Sequence, residues 1–553
     1  MHPVELILCL ILVTGILAFV ASRVKVPYPI FLVVGGGLLS LVPNLPVVAL
    51  EPDLVFLLFL PPLLYYAGLM TSWRDFWANR RPIGLLAVGC VLFTTGGVAW
   101  AAVMVFGMGW GPALVLGAIV SPPDAVAATA VMSRLRIPKR IITILEGESL
   151  VNDATALVAL KFAIAAVVTG AFSLPAAVGK FGLLAVGGIA IGWAVGVVVA
   201  WVRPRLRDEH AEAVVSLMTP YIAYLPAEHL GTSGVLAAVT AGIYLGRRMS
   251  KIVRSRTRLK LTGVWEILIF LLNALVFILI GLQLRGVLGR ITHGGGAVDF
   301  GQLVLGALVI GMVAVAVRML WVYPATYVPR RLFPAIARKD PPPPAGAVFM
   351  ISWTGMRGIV SLAAALALPM TVAGGGPFPH RDLIVFVTFA VILFTLVLQG
   401  LTLPLVIRWL GMGDDGVEEH EELRARYEAA HAALARLESL VALGEATPAM
   451  ADRMAHDYRW QARELGRHLS AGRRAATDAG EVGNGHDAHD GHEGHDHGPH
   501  GVPICATVEA LHREVLVAQR RMIVKLRDDG TISDEVLRRI LEELDLAESQ
   551  LHG

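Results

Sequence analysis

Residues Leu145–Leu160 read LEGESLVNDATALVAL, and this stretch decides how the rest of the chain is read. On a helix, Glu148 and Asn152 stand four residues apart, as do Ser149 and Asp153, while Ser149 and Asn152 stand three apart. The spacing therefore gathers them into one polar stripe on an otherwise apolar segment. Asp153 follows a basic loop ending at Arg140. About a dozen residues at about 1.5 Å each bring it roughly to the midplane of a bilayer core about 30 Å thick. A carboxylate at that depth has two tolerable states, protonated or ionised beside a bound cation, so a proton and a cation can compete for it. Hard oxygen ligands from carboxylate, hydroxyl and amide suit sodium.

Outward from that stripe, the chain is built for lipid. Its 553 residues are 55% hydrophobic and 16% charged, with a mean hydropathy of +0.63. A soluble chain carries roughly a quarter charged residues. The apolar excess falls into runs from Val4 to about Leu410, each long enough to span the hydrocarbon. The pattern predicts about thirteen spans, near 4–22, 28–46, 54–71, 84–108, 111–133, 142–169, 178–201, 210–226, 231–247, 262–284, 301–328, 343–370 and 382–410. The boundary between the eighth and ninth rests on a short turn at His229 to Thr232. The expected fold class is an all-α polytopic membrane protein with a helical tail beyond residue 411. The first apolar run lacks a basic n-region and a small-residue cleavage site, so it reads as a retained helix. Cys9, Cys90 and Cys505 form no CxxC spacing and imply neither a disulfide framework nor a thiolate metal site. A net charge of +3 gives no case for nucleic acid.

Loop charge sets the orientation. A basic cluster follows each odd-numbered span: Arg23 and Lys25; Arg74, Arg80 and Arg81; the run from Arg134 to Arg140; Arg203, Arg205 and Arg207; the run from Arg247 to Lys260; and Arg330, Arg331, Arg338 and Lys339. The opposite side holds Lys180, Arg285, Arg290 and Arg381. Basic loops stay in the cytoplasm, which predicts an external N-terminus, a cytoplasmic tail and an odd number of spans.

Two further stretches interrupt the membrane part. In IVSPPDAVAATAV, Ile119 to Val131, the pair Pro122 and Pro123 removes two backbone donors, so a helix cannot run cleanly through it, and Asp124 follows at once. Broken backbone in a membrane is tolerated only against protein or a water-filled cavity. In ISWTGMRGIVSLAAALALP, Ile351 to Pro369, Gly355 and Gly358 bracket Arg357. Small residues there permit irregular backbone or close helix contact. The expectation is that Arg357 neutralises part of the carboxylate cluster, holding Glu148 ionised or stabilising broken-helix ends. Interrupted spans in corresponding halves are the mark of an inverted-repeat transporter. Pairing the fifth span with the twelfth requires one extra helix, at the N-terminus or between the repeats.

The tail divides into a charged helical segment (412–473), a polar insert (474–502) and a second helix (503–553). Within it, HEELRARYEAAHAALARLESLVAL has the spacing of an amphipathic helix, either solvated or set against a partner or the membrane domain. The insert NGHDAHDGHEGHDHGPH carries His486, His489, His492, His495, His497 and His500 among carboxylates. Such tracts can hold Zn, Cu or Ni weakly. The bland alternative is a disordered polar linker, and the insert is no part of the expected transport site.

The segments SPPDAVAATAV, EGESLVNDATALV, YLPAEHLGTSGVLAAVTAGIYLG and WTGMRGIVSLAAALALP, in this order over about residues 5–410, resemble the first branch of the monovalent cation/proton antiporters. That branch holds the NhaP-like bacterial proteins and the animal sodium/proton exchangers. The most specific element is the Asn152–Asp153 pair with Glu148 four residues before the asparagine. The resemblance implies two inverted repeats, a core domain with two crossing half-unwound helices, a dimerisation domain and a homodimer in the cell inner membrane. It implies Asp153 as the ion-binding aspartate, Asn152 as its companion, and Ser149 and Asp124 as further ligands, with Glu148 and Arg357 as the charged pair of the core. It also implies one-for-one exchange of Na+ or Li+ for H+, with no cofactor and no enzymatic activity. One position departs from the pattern, since Pro123 stands where members often carry threonine.

Other readings differ in class. A K+/H+ antiporter would use the same oxygen ligands. A gated monovalent cation channel needs a continuous polar pathway, whereas the polar residues here gather at one depth. An intramembrane metalloenzyme needs a ligand pair such as HExxH, which the spans lack.

Overall fold

The computed structural model describes residues 3–24, 27–42, 51–132, 137–169, 174–206, 208–293, 300–372, 375–413, 416–478 and 507–551. The chain forms two compact units, Met1–Val253 with Leu261–Asp414, and Arg254–Lys260 with Asp415–Gly553. Among the described residues the regular structure is helical, apart from an isolated bridge between Thr371 and Pro377.

In the first unit the helices follow the hydropathy. They are α1 (Pro3–Val24), α2 (Tyr28–Ser40), α3 (Pro52–Met70), α4 (Arg80–Phe106), α5 (Trp110–Val120), α6 (Ala125–Met132), α7 (Lys139–Thr169), α8 (Leu174–Val202), α9 (Glu209–His229) and α10 (Gly234–Ile252). After them come α11 (Ser255–His293), whose residues up to Lys260 belong to the second unit, then α12 (Phe300–Leu332), α13 (Ala345–Trp353), α14 (Ile359–Leu366) and α15 (Arg381–Trp409). Each expected span coincides with one helix, except that the fifth is the broken pair α5–α6 and the twelfth the broken pair α13–α14. The thin boundary between the eighth and ninth spans is a true turn. The Thr232 amide and hydroxyl both donate to the Ala227 carbonyl, at 2.8 and 2.9 Å. The Ser233 hydroxyl then accepts from the Leu236 amide, capping α10.

The two broken spans are seven apart, an odd number, so the chain crosses the layer in opposite directions through them, as inverted repeats require. Their breaks meet. The Asp124 amide donates to the Met356 carbonyl at 2.6 Å, and Arg357 Nε donates to the Val120 carbonyl at 3.0 Å. Around this crossing lies the larger apolar core, which includes Val98, Leu116, Ile119, Leu362 and Ile392, all at most 1% exposed. A second core gathers Tyr65, Leu69, Ala223, Ala237, Leu245 and Trp265 from α3, α9, α10 and α11. Tyr65 and Trp265 anchor it with ring centroids 5.5 Å apart.

The second unit holds α16 (Val417–Ala442), α17 (Pro448–Asp478), α18 (Val508–Asp528) and α19 (Asp534–Gln550). Two tail helices were expected, and each is divided in two. Gly444 and Gly530 take φ of 71° and 78°, left-handed backbone that ends the helix before each turn. The apolar stripes face one another, burying Ala425, Leu516, Ile523, Ile540 and Leu541 in one cluster and Leu437, Leu511 and Val515 in another. The Asp545 carboxylate, 1% exposed, accepts two hydrogen bonds from Arg258 at 2.7 and 2.8 Å and one from Arg520 at 2.8 Å. Burial pushes the Glu422 carboxyl up, but hydrogen bonds from Arg426 and Arg539 outweigh it and hold the group below the usual carboxylate range. The six insert histidines lie outside the described residues.

Candidate ion-binding site

Two broken helices and one continuous helix build the site. The prolines end α5, because Pro122 and Pro123 cannot donate to the turn before them. The freed backbone is satisfied from α7. The Asn152 side-chain amide donates to the Pro123 carbonyl at 2.9 Å, and the Ala125 amide donates to Ser149 Oγ at 3.4 Å. Asp124 begins the next helical segment, and its Oδ1 accepts from the Val126 amide at 2.8 Å. The departure at Pro123 therefore leaves the backbone carbonyl in use.

Across the crossing, Gly358 stands against Asp124. A Cβ at Gly358 would overlap the Asp124 carboxylate, so only glycine lets that backbone approach. Gly355 makes room for a different group, since a Cβ there would lie 2.9 Å from Cδ of Arg318.

Asp124, Ser149 and Asp153 line a cavity of about 460 Å³ with Pro122, Pro123 and Gly358. Tyr28 of α2, Phe59 and Tyr66 of α3 and Asn273 of α11 complete the wall. Asp153 is 8% exposed. Asn152 lies behind it with Oδ1 buried and without a hydrogen-bond partner. Among the described residues the lining includes three carboxylates, those of Asp124, Glu146 and Asp153, and no Lys, Arg or His side chain. Of these, Asp153 is buried and Asp124 half-buried, while Glu146 is exposed, and a buried carboxylate is costly unless it is protonated or paired with a cation.

The charge pair is not the expected one. Glu148 is paired with Arg318 of α12, whose Nη1 and Nη2 donate to its two carboxylate oxygens at 2.5 and 2.8 Å. Both side chains are at most 2% exposed. Arg318 Nη2 also donates to the Ile351 carbonyl at 3.1 Å, tying the pair to α13. Arg357 instead serves the broken ends, with Nε donating to Val120 O at 3.0 Å and Nη1 to Gly355 O. Its amide donates to the Thr395 hydroxyl of α15 at 3.2 Å. The expectation that Arg357 holds Glu148 is therefore corrected, while its alternative role at the helix ends matches the geometry. Arg318 was missed although a signal was present: it is a lone arginine inside the apolar run of α12. Thr395 and Asn273 carried no signal, since single Thr and Asn residues are ordinary in membrane helices.

The sequence pattern of the transmembrane sodium/hydrogen exchanger domain matches residues 8–409. An uncharacterized Na(+)/H(+) exchanger of Mycobacterium tuberculosis is 34% identical over 531 residues, covering 96% of this chain and 92% of the relative. The Na(+)/H(+) antiporter ApNhaP of Aphanothece halophytica is 33% identical, covering 75% of this chain and 76% of its own. A sodium, potassium, lithium and rubidium/H(+) antiporter of Bacillus subtilis is 36% identical over 69% of this chain and 58% of the relative. Among solved structures, the sodium proton antiporter MjNhaP1 of Methanocaldococcus jannaschii superposes with a TM-score of 0.58 at 18% identity, over 74% of this chain and 98% of that one.

Proposed function

The chain belongs to the transmembrane sodium/hydrogen exchanger family, a family of multi-pass membrane antiporters, and from that membership and the cavity we propose that it exchanges Na+ or Li+ for H+ one for one, at a single shared carboxylate. The observation that carries the reading is the cavity wall, where the Asp124 and Asp153 carboxylates stand with no basic residue among the described lining. Asp153 carries either the proton or the cation. Ser149 Oγ and the Asp124 carboxylate supply further oxygens from the same wall, and the unpartnered Asn152 Oδ1 supplies another from behind it. The Glu148–Arg318 pair neutralises itself and leaves the ion site its own charge. Arg357 and Asn152 hold the broken ends, so the carboxylates keep their spacing as the surrounding helices move between inward- and outward-facing states. That Asp153 is the only acidic member of the Asn152–Asp153 pair supports one-for-one exchange. The basic loops support an external N-terminus and a cytoplasmic tail in a bacterial inner membrane, and the resemblance of its motifs to the antiporter family supports a homodimer.

A K+/H+ reading is favoured by one observation, the wider cation range in the name of the Bacillus subtilis relative. Proton movement in proteoliposomes on adding Na+, Li+ or K+, with the membrane potential clamped, separates the two. The same assay tests the site. Asp153→Asn abolishes cation-dependent proton flux while the protein remains folded and inserted, and flux retained in that variant overturns the assignment.

A further inference from the structure

A second concentration of charge lies away from the ion cavity, at the basic end of the membrane unit, where α4, α7, α12 and the entrance to α13 converge. Asp340 is its only carboxylate among the described contacts, and both of its oxygens are occupied. Arg140 Nη2 donates to Oδ1 at 2.6 Å and Arg330 Nη2 to Oδ2 at 2.5 Å. Arg330 also holds the Asp340 and Thr326 carbonyls, and Arg140 Nε donates to Asn79 Oδ1 at 3.1 Å. A third guanidinium, Arg81, stands in the same cluster with its Nη2 buried and without a hydrogen-bond partner. Three arginines against one aspartate leave an excess of two positive charges. A buried guanidinium nitrogen without an acceptor is costly unless an anion completes it. The three arginines share a cavity of about 70 Å³ with an apolar floor that includes Leu85, Ile144 and Val322.

We propose that Arg81, Arg140 and Arg330 form a binding site for a phosphate group, with Arg81 supplying the free donor. Guanidinium forks match phosphate oxygens in both geometry and charge. The cavity of about 70 Å³ would take one phosphate, and the apolar Leu85, Ile144 and Val322 on its floor would meet the glycerol and acyl portion of an anionic phospholipid. Basic pockets between helices on this side of a membrane are suited to such headgroups. Occupancy would hold the start of α13 against α4 and α7, and α13 leads directly into the break at Thr354 to Gly358.

The test uses the full-length protein, stripped of lipid in detergent, with its melting temperature followed during titration. The probes are phosphatidylglycerol, phosphatidylcholine and inorganic phosphate, the last at ionic strength matched with chloride. The variants are Arg81→Gln, which removes an unpartnered donor and so spares the fold, and Arg338→Gln, which removes an exposed charge of the short helix Pro334–Lys339 just before Asp340. Stabilisation of the parent and of Arg338→Gln by phosphatidylglycerol, with half-maximal effect shifted about tenfold or more in Arg81→Gln, assigns the site to a lipid headgroup. The same pattern with inorganic phosphate assigns it to a free phosphate. No stabilisation of the parent by either anion overturns the site, as does an equal response of Arg81→Gln and the parent. An equal loss in Arg338→Gln and Arg81→Gln also overturns it, because diffuse surface charge would then suffice.

Discussion

Glu148 and Arg318 form a closed, two-pronged pair inside the membrane unit, with both terminal nitrogens of the arginine on the two oxygens of the carboxylate. Removing one member strands the other in a site at most 2% exposed. Arg318→Ala is therefore expected to destabilise the protein by about 3–5 kcal/mol, the scale for breaking a buried ion pair. Thermal unfolding in detergent checks this. Glu148→Ala should show a similar loss, and the double variant should recover part of it. A parent-like melt for Arg318→Ala contradicts the role given to the pair.

Arg357 is expected to behave differently. It neutralises no carboxylate in direct contact, but it caps the Val120 and Gly355 carbonyls at the two breaks. Arg357→Ala leaves those acceptors unsatisfied at about 1–3 kcal/mol each, and it loosens the crossing that spaces Asp124. Exchange should fall further than stability. Purified Arg357→Ala that melts far below Arg318→Ala while keeping exchange contradicts this division of labour.

Gly358→Ala is the smallest change aimed at the crossing. The added methyl overlaps the Asp124 carboxylate. Because the clash reaches the Asp124 Cβ as well as its carboxylate, relief requires either loss of the Val126 amide bond to Oδ1 or opening of the crossing at the Asp124 amide, and both displace the carboxylate. The expected result is near-complete loss of sodium-dependent proton flux in a protein that still inserts and melts cooperatively. Flux at the parental rate would show that Asp124 need not hold its present position.

Most of the fold was legible because lipid imposes a long, one-signed apolar signal on each span. Pro122–Pro123 and Gly355–Gly358 marked the two breaks because proline and glycine act on the backbone whatever surrounds them. The stripe of Glu148, Ser149, Asn152 and Asp153 was legible for the same reason, as one helix fixes their relative placement. Partner choice was not. Glu148 could have reached Arg318 or Arg357, and only the packing of α12 against α7 and α13 decides between them. The tail was misread as two helices because Gly444 and Gly530 sit in amphipathic patterns whose period survives across the turn.

Within the tail unit, Asp545 joins Arg258 and Arg520 and is 1% exposed. Asp545→Ala removes the buried carboxylate that joins two guanidinium groups, leaving Arg520 its bond to Glu548 but nothing to bridge it to Arg258. Hydrogen exchange in α18 and α19 is expected to accelerate well beyond that of the parent. Protection unchanged in both helices would show that the apolar clusters alone hold the unit together.

The central claim is that one carboxylate site carries either sodium or a proton. The two ions then compete, and the sodium concentration for half-maximal rate must rise as pH falls. Saturating sodium should largely restore the rate lost at acidic pH. At alkaline pH the rate should fall again, as reprotonation of Asp153 becomes limiting. The decisive measurement is a sodium titration of exchange in proteoliposomes at several pH values, with no membrane potential. The account predicts an apparent sodium affinity that weakens progressively toward acid, and an affinity that stays constant across about two pH units contradicts the shared site.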